Sequence, residues 1–108
     1  MILNKKAKEL FLEWYWEKHI NPLPMTICKR TDLSDFFNTV TPLYQNTLII
    51  EWLDSVGVYV FINNDFEFGY SIYEDGNTYP TETKIDFSTR QEATTEAIKK
   101  ANKIINIA

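Results

Sequence analysis

Apolar residues near the start of the chain recur on a helical period. Leu3, Ala7, Leu10, Phe11 and Trp14 share one stripe with Tyr15 beside it, which predicts a helix over residues 4–20 with Asn4 as its cap. Asn21-Pro22 ends it, because the residue before a proline is pushed out of helical geometry, and Pro24 keeps the chain extended. Thr31 or Asp32 can cap a short helical turn through Phe36-Phe37. Thr41-Pro42 is a further start, a hydroxyl cap followed by a proline whose missing N–H is not needed in the first turn. Tyr44, Leu48, Ile49, Trp52 and Val56 continue at helical spacing, and Gly57 is a natural stop. Leu48–Leu53 lacks the alternation of a half-buried strand, which favours helix there.

Beyond Gly57 the period changes to two. Val58–Asn63 reads as a strand and Asn64-Asp65 as a turn. Phe66–Tyr73 reads as a second strand with Phe66, Phe68, Tyr70 and Ile72 on one side. The first connection has two readings. A two-residue loop puts Tyr59 and Phe61 on the Phe68 face; a three-residue loop puts Val58, Val60 and Ile62 there. The second is favoured, because branched aliphatics suit a buried strand. Asp75-Gly76 signals a two-residue hairpin. Folding about it pairs Ile72 with Tyr79, Tyr70 with Thr81, Phe68 with Thr83 and Phe66 with Ile85, and sets Glu67 opposite Lys84. Pro80 predicts that the third strand is an edge or starts late.

Ser88-Thr89-Arg90-Gln91 reads as the capping box of a last helix. Ala93, Ala97, Ile98, Ala101, Ile104 and Ile105 form its inner face, and the alanines allow close approach to a sheet. Arg90, Gln91, Thr94, Lys99, Lys100, Asn102 and Lys103 are expected to face outward. The whole predicts one α+β domain over residues 1–108. Residues 1–40 form a helical extension, and residues 41–108 form an α-β-β-β-α core. In that core two helices lie on one face of a three-stranded antiparallel meander. The aromatic N-terminal helix is the expected cover for part of the other face.

A chain of 108 residues with 44% hydrophobic and 24% charged residues fits one folded domain and argues against disorder. Met1-Ile2-Leu3-Asn4-Lys5-Lys6 has no apolar run behind its charges, and no stretch approaches the length of a membrane span. Cys28 is the single cysteine, so no internal disulfide is available, and no Asn-x-Ser/Thr acceptor occurs. A cytoplasmic setting without membrane contact is expected. One His and one Cys cannot build a typical structural zinc site, and no cofactor or metal is expected.

The net charge of −4 is unevenly spread. Residues 1–30 hold six Lys/Arg and three Glu, whereas residues 31–87 hold ten acids and only Lys84; residues 88–108 hold four basic residues and two acids. The acidic middle argues against phosphate contact there, since nucleic-acid binding rests on neutralising phosphates.

Two resemblances follow from these segments. Asp86-Phe87-Ser88-Thr89-Arg90-Gln91-Glu92-Ala93, then Ala97-Ile98-Lys99-Lys100-Ala101, with Leu48-Ile49-Ile50-Glu51-Trp52-Leu53 upstream, resembles small uncharacterised proteins from phage-derived and mobile regions of gut bacterial genomes. That resemblance covers residues 43–108 and implies a setting rather than a mechanism. The helix-strand-strand-strand-helix order is also similar to the double-stranded-RNA-binding domain, a family that uses its first helix, its first hairpin loop and cations opening its second helix. Here those positions hold Glu51 and Asp54, then Asn63, Asn64 and Asp65, then Arg90 with Gln91, Thr94 and Thr95. The resemblance therefore implies the fold and not RNA binding.

Several groups of residues could carry chemistry. Tyr59, Phe61 and Tyr73 can line the second sheet face beside Glu67, Glu82 and Asp86. An aromatic patch rimmed by acids suits a basic protein partner, and burial under residues 4–20 is the competing reading. Trp14, Tyr15 and Trp16 cannot all face one side of a helix, so at least one is exposed or covers a second surface. Arg90, Lys99, Lys100 and Lys103 could meet phosphate along the last helix, though a solvated face is the simpler reading. Glu82 and Lys84, with Glu67 on their face and Glu51 upstream, resemble the acid-and-lysine arrangement of some Mg²⁺ nucleases. His19 and Cys28 form a base and nucleophile only if brought together, with no third group to orient His19. The favoured expectation is a small acidic interaction protein, not an enzyme, that binds a protein partner or self-associates. RNA binding through the last helix is the alternative, and a Mg²⁺ nuclease a remote one.

Overall fold

The computed structural model describes residues 1–64 and 66–108; Asp65, read above as part of the first turn, lies outside the described residues. The first helix, α1 (Lys5–Tyr15), is followed by one wide π-helical turn over Trp16–Ile20. Of the three adjacent aromatics Tyr15 is buried, and Trp14 and Trp16 to either side of it are only partly so. Ala7, Phe11 and Tyr15 face inward at intervals of four, and the i→i+5 bond from Asn21 N–H to the Trp16 carbonyl (2.8 Å) rotates Ile20 onto the same buried face. A 3₁₀ turn over Arg30–Asp32 leads into α2 (Leu33–Asn38). Next comes α3 (Pro42–Ser55), with proline in its first turn and the left-handed Gly57 (φ +81°) just past its end.

Three strands follow: β1 (Val58–Asn64), β2 (Phe68–Glu74) and β3 (Glu82–Phe87), antiparallel in the order β1-β2-β3. Val60 pairs with Ile72 and Asn64 with Phe68, so three residues join β1 to β2 and the branched aliphatics face the core, as the favoured reading expected. The second hairpin differs from expectation. Ile72 pairs with Glu82 rather than Tyr79, Tyr70 with Lys84, and Gly69 with Ile85. A two-residue type I′ loop needs positive φ at both central residues, and Asp75 does not supply it. Asp75-Gly76 instead forms a turn closed by Asn77 N–H on the Glu74 carbonyl (3.1 Å); the chain then swings out past Pro80 and rejoins where Thr81 N–H meets the Ile72 carbonyl (2.7 Å). The register moves by three residues, which turns Thr83 and Ile85 to the opposite face and leaves Glu67 unpaired with Lys84. Asp86 is bulged out between Ile85 and Phe87 with φ +101°.

The last helix, α4 (Arg90–Ile107), starts one residue later than its sequence signal: Thr89 Oγ1 accepts from Glu92 N–H (3.1 Å), and the Glu92 carboxylate accepts from Ser88 N–H (3.2 Å). The α3 helix lies over β1, and α4 crosses β1, β2 and β3 on the same face of the sheet. The core between them holds Leu48, Ile49, Trp52, Leu53, Ile72, Ala97, Ile98 and Ala101.

Helix α1 does not cover the other face of the sheet. It packs against α3 and α4 as a further layer on the side already covered. Phe11 explains why: its ring meets Trp52 of α3 at 5.8 Å and Phe37 of α2 at 4.9 Å, so the aromatic stripe of α1 completes the helical core. The start of α1 is held by α4. Asn4 makes no side-chain cap; Asn102 Oδ1 accepts from Asn4 N–H (3.0 Å), and Asn106 Oδ1 accepts from Ala7 N–H (2.9 Å). Asn102, expected outside, is therefore buried, at 7% exposure.

Candidate functional site

With α1 on the helical side, the second sheet face stands open. It carries Tyr59, Phe61 and Asn63 from β1, Ser71 and Tyr73 from β2, and Thr83 and Ile85 from β3. The Phe61 ring is 55% exposed and meets the Tyr73 ring edge-on at 5.5 Å. These two rings, with Tyr59, Asn63 and Ser71, line a shallow groove of about 470 Å³. A line of hydrogen bonds crosses the strands beside them. Asn63 Nδ2 donates to Ser71 Oγ (3.0 Å), Ser71 lies 3.1 Å from Thr83 Oγ1, and Thr83 donates to the Tyr70 carbonyl (3.1 Å). This seam fixes the polar side chains and leaves the aromatic surface as the apolar feature of the face.

The acids expected to rim this patch divide. Glu67 stays exposed in the β1–β2 connection, whereas Glu82 lies on the covered face and pairs with Lys100 of α4 at 3.5 Å. The three-residue register shift is the cause. Asp86, at the bulge, and Asp75, beside Gly57, are exposed. Residues 58–87 hold six acids against Lys84 alone. Two contributors escaped sequence reasoning. Ile85 reaches the open face through the shifted register, and Phe66, expected within β2, is wholly exposed beside the hairpin.

The lysines of α4 line a second, polar cleft against β3. Lys84, Lys99, Lys100 and Lys103 surround Tyr70 with Glu82 and Glu96 in a space of about 420 Å³. Lys99 pairs with Glu96 at 3.1 Å and Lys100 with Glu82. Burial, then Glu82 and Glu96, raises the pKa of the Tyr70 hydroxyl above its ordinary value. Arg90 lies apart, its guanidinium 5.7 Å from the Phe68 ring centre. The four cations of the nucleic-acid reading are thus not one free row.

The acid-and-lysine arrangement is not assembled. Glu82 and Lys84 share the covered face, Glu67 is in the connection, and Glu51 lies 3.6 Å from His19 Nε2. Among the described residues no three His, Cys, Asp or Glu side chains are grouped to hold a metal. His19 packs against Trp14 (5.0 Å) and Tyr15 (5.8 Å), and its Nε2 is buried without a hydrogen-bond partner among the described residues, Cys28 included. Burial, with Tyr44 and Cys28 nearby, raises the Tyr15 pKa. No described helix is long and apolar enough to cross a membrane. Comparison with protein-family models, curated proteins and solved structures finds no match to this chain.

Proposed function

We propose that this protein is a non-enzymatic binding module whose open sheet face docks a positively charged protein. The observation that carries this reading is the uncovered cluster of Tyr59, Phe61 and Tyr73. Aromatic side chains give large contact area at low entropic cost, and they anchor protein interfaces more often than other types. Two exposed acids in the connections at the ends of the sheet, Asp75 and Glu67, make no ion pair among the described residues. They would draw a basic partner and repel an acidic one, so association would be faster at low salt. Nucleic acid fits less well. The sheet and its connections are acidic, and two of the four cations on α4 are already paired.

Site-specific photo-crosslinking tests this. A benzophenone side chain replaces Phe61 on the open face or Lys8 on α1, and the attached peptide is sequenced. The expected result is a crosslink from position 61 to a segment of net positive charge, absent from position 8 and weakened by molar salt. Equal crosslinking from both positions, an acidic target, or a product removed by nuclease would contradict the reading.

A further inference from the structure

The two edges of the sheet are built differently. The β3 edge follows Pro80, carries Glu82, Lys84 and Asp86, and is broken by the bulge at Asp86. Each of these features blocks the addition of another strand. The β1 edge has none of them. Val-Tyr-Val-Phe-Ile-Asn-Asn contains no charge, proline, glycine or bulge.

The outward groups of β1 follow from the ladder. Thr81 N–H donates to the Ile72 carbonyl, so Ile72 directs its backbone groups toward β3, and Ser71 and Tyr73 direct theirs toward β1. The bond from Asp75 N–H to the Gly57 carbonyl (2.8 Å) sets the same parity. Through the register, Tyr59, Phe61 and Asn63 bond to β2, while Val58, Val60, Ile62 and Asn64 present N–H and C=O at the outer edge. No backbone bond outside the sheet reaches residues 58–64 among the described residues.

Resting on the reading of the open face as a binding surface, we infer that β1 receives an extended, positively charged segment of the partner as a fourth strand. Backbone bonds to Val60 and Ile62 would supply affinity, and alternate side chains of the added strand would lie beside Tyr59 and Phe61. Charge selects this occupant over a second copy of the chain. Asp54, Glu74 and Asp75 lie at the start of β1, and Glu67 lies past its end. Two copies paired antiparallel through β1 would bring the acids of one end against those of the other. A lysine-bearing strand meets acids at both ends.

The test is amide hydrogen exchange read by NMR on the full chain. The probe is the blocked peptide Lys-Val-Lys-Val-Lys-Val-Lys, with a Glu-for-Lys peptide as control. The expected result is that the Val60 and Ile62 amides exchange about tenfold or more slowly with the lysine peptide and are unchanged with the glutamate peptide. Shifts of the Tyr59, Phe61 and Tyr73 rings with no slowing at Val60 and Ile62 would overturn strand addition and leave the open-face reading standing. Slowing that appears on raising protein concentration without peptide would overturn it in favour of a second copy. No change at rings or amides with millimolar lysine peptide would overturn both.

Discussion

Replacing Phe11 with alanine tests whether the first 40 residues belong to the core or merely accompany it. Phe11 is fully buried, and its ring lies 4.9–5.9 Å from those of Trp14, Tyr15, Phe37 and Trp52. Truncation removes the shared partner of rings on α1, α2 and α3, and α2 has only six residues with which to collapse around the gap. A buried Phe→Ala change costs about 3–5 kcal/mol, and the loss of several ring contacts places this one at the upper part of that range. A domain of this size has about 5–15 kcal/mol in total. At about 4–8 °C per kcal/mol, the melting temperature should fall by roughly 15 °C or more. Urea unfolding followed in parallel by far-ultraviolet circular dichroism and tryptophan fluorescence would measure it, and both signals should keep a single shared transition. A loss below about 1 kcal/mol, or an early transition that leaves the sheet intact, would refute the placement of α1 in the helical core.

Four further outcomes follow. Gly69→Ala would set its Cβ 2.6 Å from the Lys84 carbonyl oxygen and 2.8 Å from Ile85 Cγ2, so stability should fall by about 1–3 kcal/mol, with chemical-shift changes concentrated in β3. Asn102→Leu would leave Asn4 N–H without its acceptor, costing about 1–3 kcal/mol, and the first-turn amides of α1 should exchange faster. Thr89→Ala should cost about 0.5–2 kcal/mol by removing the α4 cap, measured by urea midpoint. Burial, then Glu51, raises the Asp54 pKa above 3.8, so the folded state holds its proton more tightly and this group's contribution falls as pH rises from about 3.8 through the raised value. Asp54→Asn lacks that fall, so its urea midpoint relative to wild type should improve as pH rises through this window.

Much of the architecture was legible locally. Pro22, Pro42 and Gly57 mark helix boundaries where local backbone rules put them, although Asn21 keeps helical dihedrals (φ −58°, ψ −37°) before Pro22 and Thr41 makes no side-chain cap. Val58, Val60 and Ile62 fixed the first hairpin because only one register buries them with Ile72. The second hairpin was not legible. Asp75-Gly76 does make a turn, but the connection continues through Pro80, and the bulge at Asp86 is invisible to an alternation rule. That slip placed Glu82 on the binding face and hid Ile85. The location of α1 was also out of reach. An apolar stripe shows that a helix buries one face but not which surface it meets, and Phe37 and Trp52 decide that here. Asn102 looked solvent-facing because its partner, Asn4, is 98 residues away.

Docking through the sheet requires that the face carrying Tyr59, Phe61 and Tyr73 be open to a partner. Aromatic proton relaxation with a soluble gadolinium agent measures that directly. The Phe61 and Tyr73 rings should broaden nearly as much as exposed Tyr79, with Phe11, Phe37 and Trp52 spared. Protection of Phe61 and Tyr73 to the level of Trp52 would mean that the face is covered and cannot dock a partner.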